Sequence, residues 1–224
     1  MNPFLARIVC LVTGYIFGLF QTAYIYGKLH GFDLKDSGSG NYGTTNMLRT
    51  KGLKAGLLVF FGDCFKCALA VLVMYFVLGS AYGDTFVLYK LYAAAGAVLG
   101  HNFPFYMGFR GGKGIAATAG LILAMGWEFV VPELIIFALI FGITHYVSLG
   151  SLVIYVYLLG QIIVMGEMGY GQFAGLSQPQ RIEVYIVAFL LTLMAFVKHR
   201  ENIKRLLSGT ERKTYLKKRE GQES

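Results

Sequence analysis

Long apolar runs, interrupted by short clusters of glycine, polar and charged residues, dominate the chain. Seven runs stand out, at residues 4–26, 55–78, 86–100, 115–127, 132–146, 149–165 and 182–197. A helix needs about 20 mostly apolar residues to cross a bilayer, so runs of this size predict membrane-spanning α-helices. A transmembrane β-barrel would instead alternate apolar and polar positions over segments of about 10 residues. The first run predicts a retained span and not a cleaved signal. It is longer than a typical signal core, nothing charged precedes Arg7, and no small-x-small cleavage site follows.

Composition strengthens this picture. Of 224 residues, 56% are hydrophobic and 14% charged, with a mean hydropathy of +0.58. Soluble proteins carry roughly 25% charged residues, and a soluble body of this size could not cover so much apolar surface. Three Cys, four Pro and 15% aromatics exclude a disulfide scaffold, collagen and disorder. Cys64 and Cys67 fit a C-x-x-C pattern, but they lie in an apolar run with no second pair; like Cys10, they read as small buried residues.

Charge placement orients the chain. With seven spans, Lys28, Lys35, Arg49, Lys51, Lys54, Arg110, Lys113 and the nine basic residues from Lys198 to Arg219 fall on one side, which is 16 of the 20 Lys and Arg. Arg7, Lys90 and Arg181 fall near span ends on the other side, and Lys66 lies within a span. Lys/Arg-rich loops stay cytoplasmic. The expected fold class is therefore an all-α integral membrane protein with seven transmembrane helices, its N-terminus outside and its C-terminus cytoplasmic. Residues 1–211 read as one membrane domain and 212–224 as a basic, flexible cytoplasmic tail. The net charge of +8 then reflects topology and contact with anionic membrane lipids; nothing in it calls for nucleic acid.

The candidate chemistry sits in three polar segments on the basic side. The first holds Gly38, Ser39, Gly40, Asn41, Gly43, Thr45, Asn46 and Arg49. Glycines let backbone N–H groups approach a ligand, and an arginine fork suits phosphate. Gly38, Gly40 and Gly43 match the spacing of a dinucleotide fingerprint, but no strand precedes them. An ordinary flexible loop would also be rich in Gly and Ser. The second segment holds His101, Asn102, Gly111, Gly112, Lys113 and Gly114 just before the fourth run. It departs from a Walker A loop at Met107 and at Gly114, yet a Gly-rich turn at a helix N-terminus with a lysine remains suited to an anion. A basic, glycine-rich membrane loop is the alternative. The third segment holds Lys198, His199, Arg200 and Asn202; a helix continuing past the membrane would put His199 and Asn202 on one face. A basic flank that stops translocation would read the same way. Asp63 and Lys66, three apart in the second run, predict a buried ion pair with either a structural or a catalytic part.

Segments 37–49, 100–118 and 198–211, in this order between apolar spans, resemble the three signature regions of the bacterial acyl-phosphate:glycerol-3-phosphate acyltransferases, the PlsY family. The likeness also takes in Thr22, Ala23 and Tyr24, the pair Asp63 and Lys66, and residues 147–151. The family pattern has Pro at the position of Gln21, Pro and Ala at Tyr42 and Thr44, and Gly at Cys67; the segment 166–180 is longer here.

The resemblance implies a seven-helix enzyme of the bacterial cell membrane, with its loops facing the cytoplasm. It would move a fatty acyl group from acyl-phosphate to the 1-hydroxyl of glycerol-3-phosphate, giving lysophosphatidic acid and phosphate. By resemblance, Ser39, Arg49, Lys113, His199 and Asn202 would be catalytic. Gly38, Gly40, Asn41, Thr45, Asn46, His101, Asn102, Gly111, Gly112, Gly114 and Ser151 would bind substrate. In the family the substrate's own phosphate is thought to take the proton; His199 as base is the competing mechanism. The residues point to no metal and no cofactor, and they leave acyl-chain length and oligomeric state open. Two other classes stay open: a phosphate-ester transporter, although transporters usually show paired repeats and none is visible, and a non-catalytic lipid- or phosphate-ester-binding protein, which would not need three polar clusters on one face.

Overall fold

The computed structural model describes residues 1–215; residues 216–224, part of the tail expected to be flexible, lie outside the described residues. Among the described residues the chain is all-helical: α1 (Pro3–Gly18), α2 (Thr22–Leu29), α3 (Thr44–Lys51), α4 (Leu53–Tyr82), α5 (Phe86–Asn102), α6 (Ile115–Met125), α7 (Trp127–Thr144), α8 (Val147–Glu167), α9 (Gln178–Lys198) and α10 (Arg200–Leu207). Five helical stretches are long and apolar enough to cross a membrane: Pro3–Leu29, Leu53–Met107, Trp127–Thr144, Val147–Glu167 and Gln178–Lys198. The second of these contains both α4 and α5. Helix α6 is apolar but has only 11 residues, about 16 Å at 1.5 Å per residue, roughly half of a bilayer's hydrocarbon core.

The core forms where α1 lies against α5 with almost no side chain between them. A Cβ added to Gly14 would overlap the Ala93 carbonyl, and one on Gly18 the Ala97 carbonyl. From the other side, a Cβ on Gly96 would overlap the carbonyl of Leu11, and one on Gly100 that of Tyr15. Two glycines four apart on each helix thus form one seam, the small-residue packing that lets membrane helices touch backbone to backbone. At one end of the seam Arg7 forks onto Glu183 of α9 at 2.5 and 2.7 Å, and Tyr92 donates to the same carboxylate at 2.7 Å.

Two runs depart from expectation for identifiable reasons. Run 4–26 is not one helix: the chain breaks between Gly18 and Thr22, with Gln21 extended. The buried Gln21 amide donates to the carbonyls of Gly18 (3.1 Å), Gly100 (3.3 Å) and His101 (3.0 Å), so a side chain satisfies helix-end acceptors that hydropathy cannot reveal. The run expected to start at Pro132 begins at Trp127, directly after Gly126 (φ 106°). Pro132 has no N–H for the Glu128 carbonyl one turn back. Gln161 of α8 fills that need with a 2.7 Å hydrogen bond, and the helix runs on through the proline.

Candidate active site

The three polar segments converge on one cavity of about 560 Å³. Gly38, Ser39, Asn41, Thr45, Asn46 and Arg49 line one wall, and His101, Lys113 and Gly114 another. Ser151 of α8 with His199 and Asn202 closes a third. Asp63, Ser148, Arg205, Glu211 and Arg212 add further polar groups, and an apolar boundary comes from Leu53, Leu57 and Phe60 of α4, Ile115 of α6, and Phe137 and Phe141 of α7. A polar, cationic end and a greasy end therefore share one space. A larger crevice of about 840 Å³ near Tyr75, Lys90 and Gln172 holds none of the candidate residues.

Local structure explains the first wall. Gly38 (φ 62°) and Gly40 (φ 68°) occupy left-handed backbone, the region glycine enters without strain. Asn46, buried on α3, stitches this turn together. Its Oδ1 accepts from Ser39 N at 2.9 Å, and its Nδ2 donates to the carbonyls of Ser37 (2.9 Å) and Asn41 (3.1 Å). The Asn46 amide thus shapes the turn while the residue lines the cavity. One helical turn past Thr45, Arg49 reaches the cavity, where its Nε and Nη2 donate to Thr214 Oγ1 (3.1 and 2.7 Å) and Nη2 to the Arg212 carbonyl (2.8 Å). Burial holds its guanidinium below the usual arginine value. The start of the expected tail is therefore docked on the site, and Thr214 N donates to the His145 carbonyl at 2.9 Å.

The glycine-rich loop before α6 differs from expectation in one respect. Gly111 N donates to the Asn102 carbonyl at 3.2 Å and Gly112 N to the His101 carbonyl at 3.1 Å. These two amides point back at α5 and neither glycine lines the cavity, so Gly111 and Gly112 build the loop behind it. The Asn102 side chain is likewise fully buried, behind Gly114, and Gly40 packs near the Lys35 carbonyl. Gly114 (φ 85°) caps the N-terminus of α6, and with Ile115 and Ala116 it turns that positive helix end toward the cavity. Lys113 stands beside it. Burial, then the nearby Arg205 charge, lowers its ammonium to about 8.

On the third wall α9 stops at Lys198, and α10 starts anew after His199. The expected continuous helix is two helices, yet both residues still reach the cavity. His199 Nδ1 donates to the Ala195 carbonyl at 2.8 Å, so in its neutral form the free lone pair is on Nε2. Burial, then the Lys113 charge, lowers this imidazole to about 4. The Ser151 hydroxyl donates to the Val147 carbonyl at 2.8 Å.

Sequence reading missed the hub of this wall. Glu211 accepts from Asn202 Nδ2 (2.7 Å), Ser148 Oγ (2.8 Å) and Arg205 Nε (2.7 Å), while Asn202 Oδ1 accepts from Lys113. Burial alone would raise its carboxyl, but the hydrogen bonds from Asn202, Ser148 and Arg205 hold it below the usual glutamate value. Arg205 was findable, since it lies three residues beyond Asn202 on α10. Glu211 was not, because it belongs to no helix, so no periodicity places it, and its partner Ser148 is 63 residues away.

The chain that carries this cationic cleft and apolar groove matches known proteins in sequence and fold. The family model for glycerol-3-phosphate acyltransferase matches residues 8–209. The chain belongs to the glycerol-3-phosphate acyltransferase family. A Clostridioides difficile (strain 630) glycerol-3-phosphate acyltransferase is 41% identical over 94% of this chain and 97% of its own length. One from Alkaliphilus metalliredigens is 35% identical over 92% and 95%. The crystal structure of PlsY (YgiH), an integral membrane glycerol 3-phosphate acyltransferase in its glycerol 3-phosphate form, superposes with a TM-score of 0.77. It has 29% identity and covers 93% of this chain and 96% of PlsY. The lysophosphatidic acid form gives 0.75 and 28%. Family membership and the five long apolar helical stretches, whose faces are largely exposed apolar surface, together make this a multi-pass membrane acyltransferase.

Proposed function

We propose that this protein transfers a fatty acyl group from an acyl-phosphate to the 1-hydroxyl of sn-glycerol-3-phosphate. The observation that carries the reading is the single cavity in which Arg49, Lys113 and Arg205 adjoin Leu57, Phe60, Phe137 and Phe141. Two phosphate groups have cations to meet, and an acyl chain has an apolar groove opening from the same space. The hydroxyl oxygen attacks the acyl carbonyl carbon, the bond from that carbon to the phosphate oxygen breaks, and phosphate departs with the electron pair. Lys113, Arg49 and the N-terminal end of α6 hold phosphate oxygens; Ser39, Asn41, Thr45 and Asn202 orient the acceptor. Phosphate is already a good leaving group, so alignment and charge stabilisation supply most of the acceleration. His199 is a weak base at about 4, which supports transfer of the hydroxyl proton to the acceptor's own phosphate. Its free Nε2 lone pair supports the competing reading of His199 as base.

Purified protein supplied with acyl-phosphate and glycerol-3-phosphate is expected to release inorganic phosphate. It is expected to give no product with acyl-CoA or acyl carrier protein, and to keep its rate in EDTA. No acid stands at the fifth position after His101 (Tyr106) or His199 (Lys204), so neither completes the His-x4-Asp motif that would mark a thioester-dependent enzyme. Robust acyl-CoA turnover would overturn the donor assignment.

We also infer that α1 with α2, then α4, α5, α6, α7, α8 and α9, make seven crossings, with the N-terminus outside and the active-site loops cytoplasmic. The alignment of 16 basic residues on one side supports this. In a Cys-free background, an impermeant thiol reagent applied to intact cells should label Asn2→Cys quickly and spare Lys204→Cys. The reverse pattern sinks the orientation.

A further inference from the structure

Asp63 and Lys66 are charged residues on an otherwise apolar stretch of α4, only 1% and 5% exposed. Desolvating such a pair outweighs its attraction unless further hydrogen bonds complete it. Here partners from other elements do so. The Lys66 ammonium donates to Asp63 Oδ1 at 2.8 Å, to the Phe20 carbonyl at 2.6 Å and to His101 Nδ1 at 2.9 Å, which uses all three of its N–H bonds. Thr22 donates its hydroxyl to Asp63 Oδ1 at 3.0 Å. Asp63 stands 3.7 Å from His101 Nδ1, so it acts on the ring through Lys66.

An ammonium can only donate, so His101 Nδ1 accepts, the ring is neutral, and its proton sits on Nε2. That edge lies against Gly112, where even a Cβ would collide with it. The His101 carbonyl meanwhile takes the N–H of Gly112 and the Gln21 amide. Gly112 is the residue immediately before Lys113.

We propose that Asp63, Lys66 and His101 are positioning residues: the buried ion pair locks the His101 ring, the ring and its carbonyl lock Gly112, and Gly112 sets where the Lys113 ammonium stands in the cavity. This accounts for two charges placed inside a membrane helix. It rests on the reading of Lys113 as a phosphate ligand.

A double-mutant cycle tests it. The paired variant Asp63→Asn/Lys66→Met removes both charges and leaves neither one unpaired. Misplacing a ligand by about 1 Å can cost on the order of 100-fold, so this variant should raise KM for the phosphate substrates and lower kcat/KM by 10- to 100-fold at unchanged Tm, orders of magnitude taken from the same estimate. Combined with Lys113→Ala, it should add almost nothing, because residues acting as one unit are non-additive. Losses that multiply, or a lowered Tm and active fraction with parental KM, would overturn the proposal. If the paired variant does not fold, His101→Gln leaves the charge pair intact and runs the same cycle, with the same two outcomes. Near-parental kinetics for Lys113→Ala alone would instead bring down the phosphate-ligand reading, so the two failures are distinguishable.

Discussion

Lys113→Ala should lower kcat/KM for the phosphate substrates by about 10- to 150-fold while the protein stays folded, and Arg49→Ala should lower it at least tenfold, because charge-assisted contacts are worth roughly 1.5–3 kcal/mol. Both side chains reach the one cationic cavity, at the end of α3 and before α6. The pH profile carries a second signature. The Lys113 ammonium, lowered by burial to about 8, holds its charge below that pH and loses it above. The kcat/KM of the parent, which reports the free enzyme, should therefore fall on the alkaline side with a midpoint near 8. In Lys113→Arg that limb should move beyond the measurable range. His199, lowered to about 4, is neutral through the working range and should give no limb near 6–7. His199→Gln, which keeps a hydrogen bond without titrating, should retain measurable activity. Loss to background in folded His199→Gln, together with an acidic limb near 6–7 in the parent, would favour the histidine base. Near-normal kinetics for both Lys113→Ala and Arg49→Ala would discard the pocket assignment.

Gly96→Leu should abolish recovery of folded protein. The new Cβ would meet the Leu11 carbonyl oxygen, a backbone atom that cannot turn aside, so α1 and α5 must separate along their whole seam. Overpacking a core usually costs about 1–3 kcal/mol; separating two backbones in contact exceeds that range and removes a large share of a marginal stability. Gly160→Leu is the matched control. Nothing lies within 4 Å of a Cβ at that position, and the substitution removes glycine's helix penalty. Gel filtration and thermal melts in detergent should show a monodisperse control and an aggregated or absent Gly96→Leu. A folded Gly96→Leu with a parental Tm would show that the seam tolerates opening.

The apolar helices were legible because hydropathy reports burial in lipid directly, and the cores of runs 86–100 and 149–165 lie within α5 and α8. The break at Gln21 and the early start of α7 were not. Both are solved by a side chain from elsewhere, Gln21 on α5 carbonyls and Gln161 on Glu128, and single-sequence periodicity does not contain such pairs. The same division holds at the site. Residue type and spacing singled out Arg49, Lys113, His199 and Asn202, all of which reach the cavity. Which protein atoms a nearby amide bonds was illegible, as Asn46, Gly111 and Gly112 demonstrate. Glu211 escaped because its meaning lies in Ser148 of α8 and in Asn202 and Arg205 of α10, two helices that meet only in the folded chain.

The glycine seam also bears on how the molecule is made. Gly14 meets residues of α5 that are synthesised about 80 positions later, which at roughly 5–20 residues per second is a delay of about 4–16 s. Throughout that interval α1 waits in the bilayer with a bare strip of backbone, and only lipid or another protein can cover it. Helix α5 must therefore arrive before the first helix finds its final partner, and the nascent chain passes through a window in which lipid or another protein, rather than its own fold, covers that strip of α1.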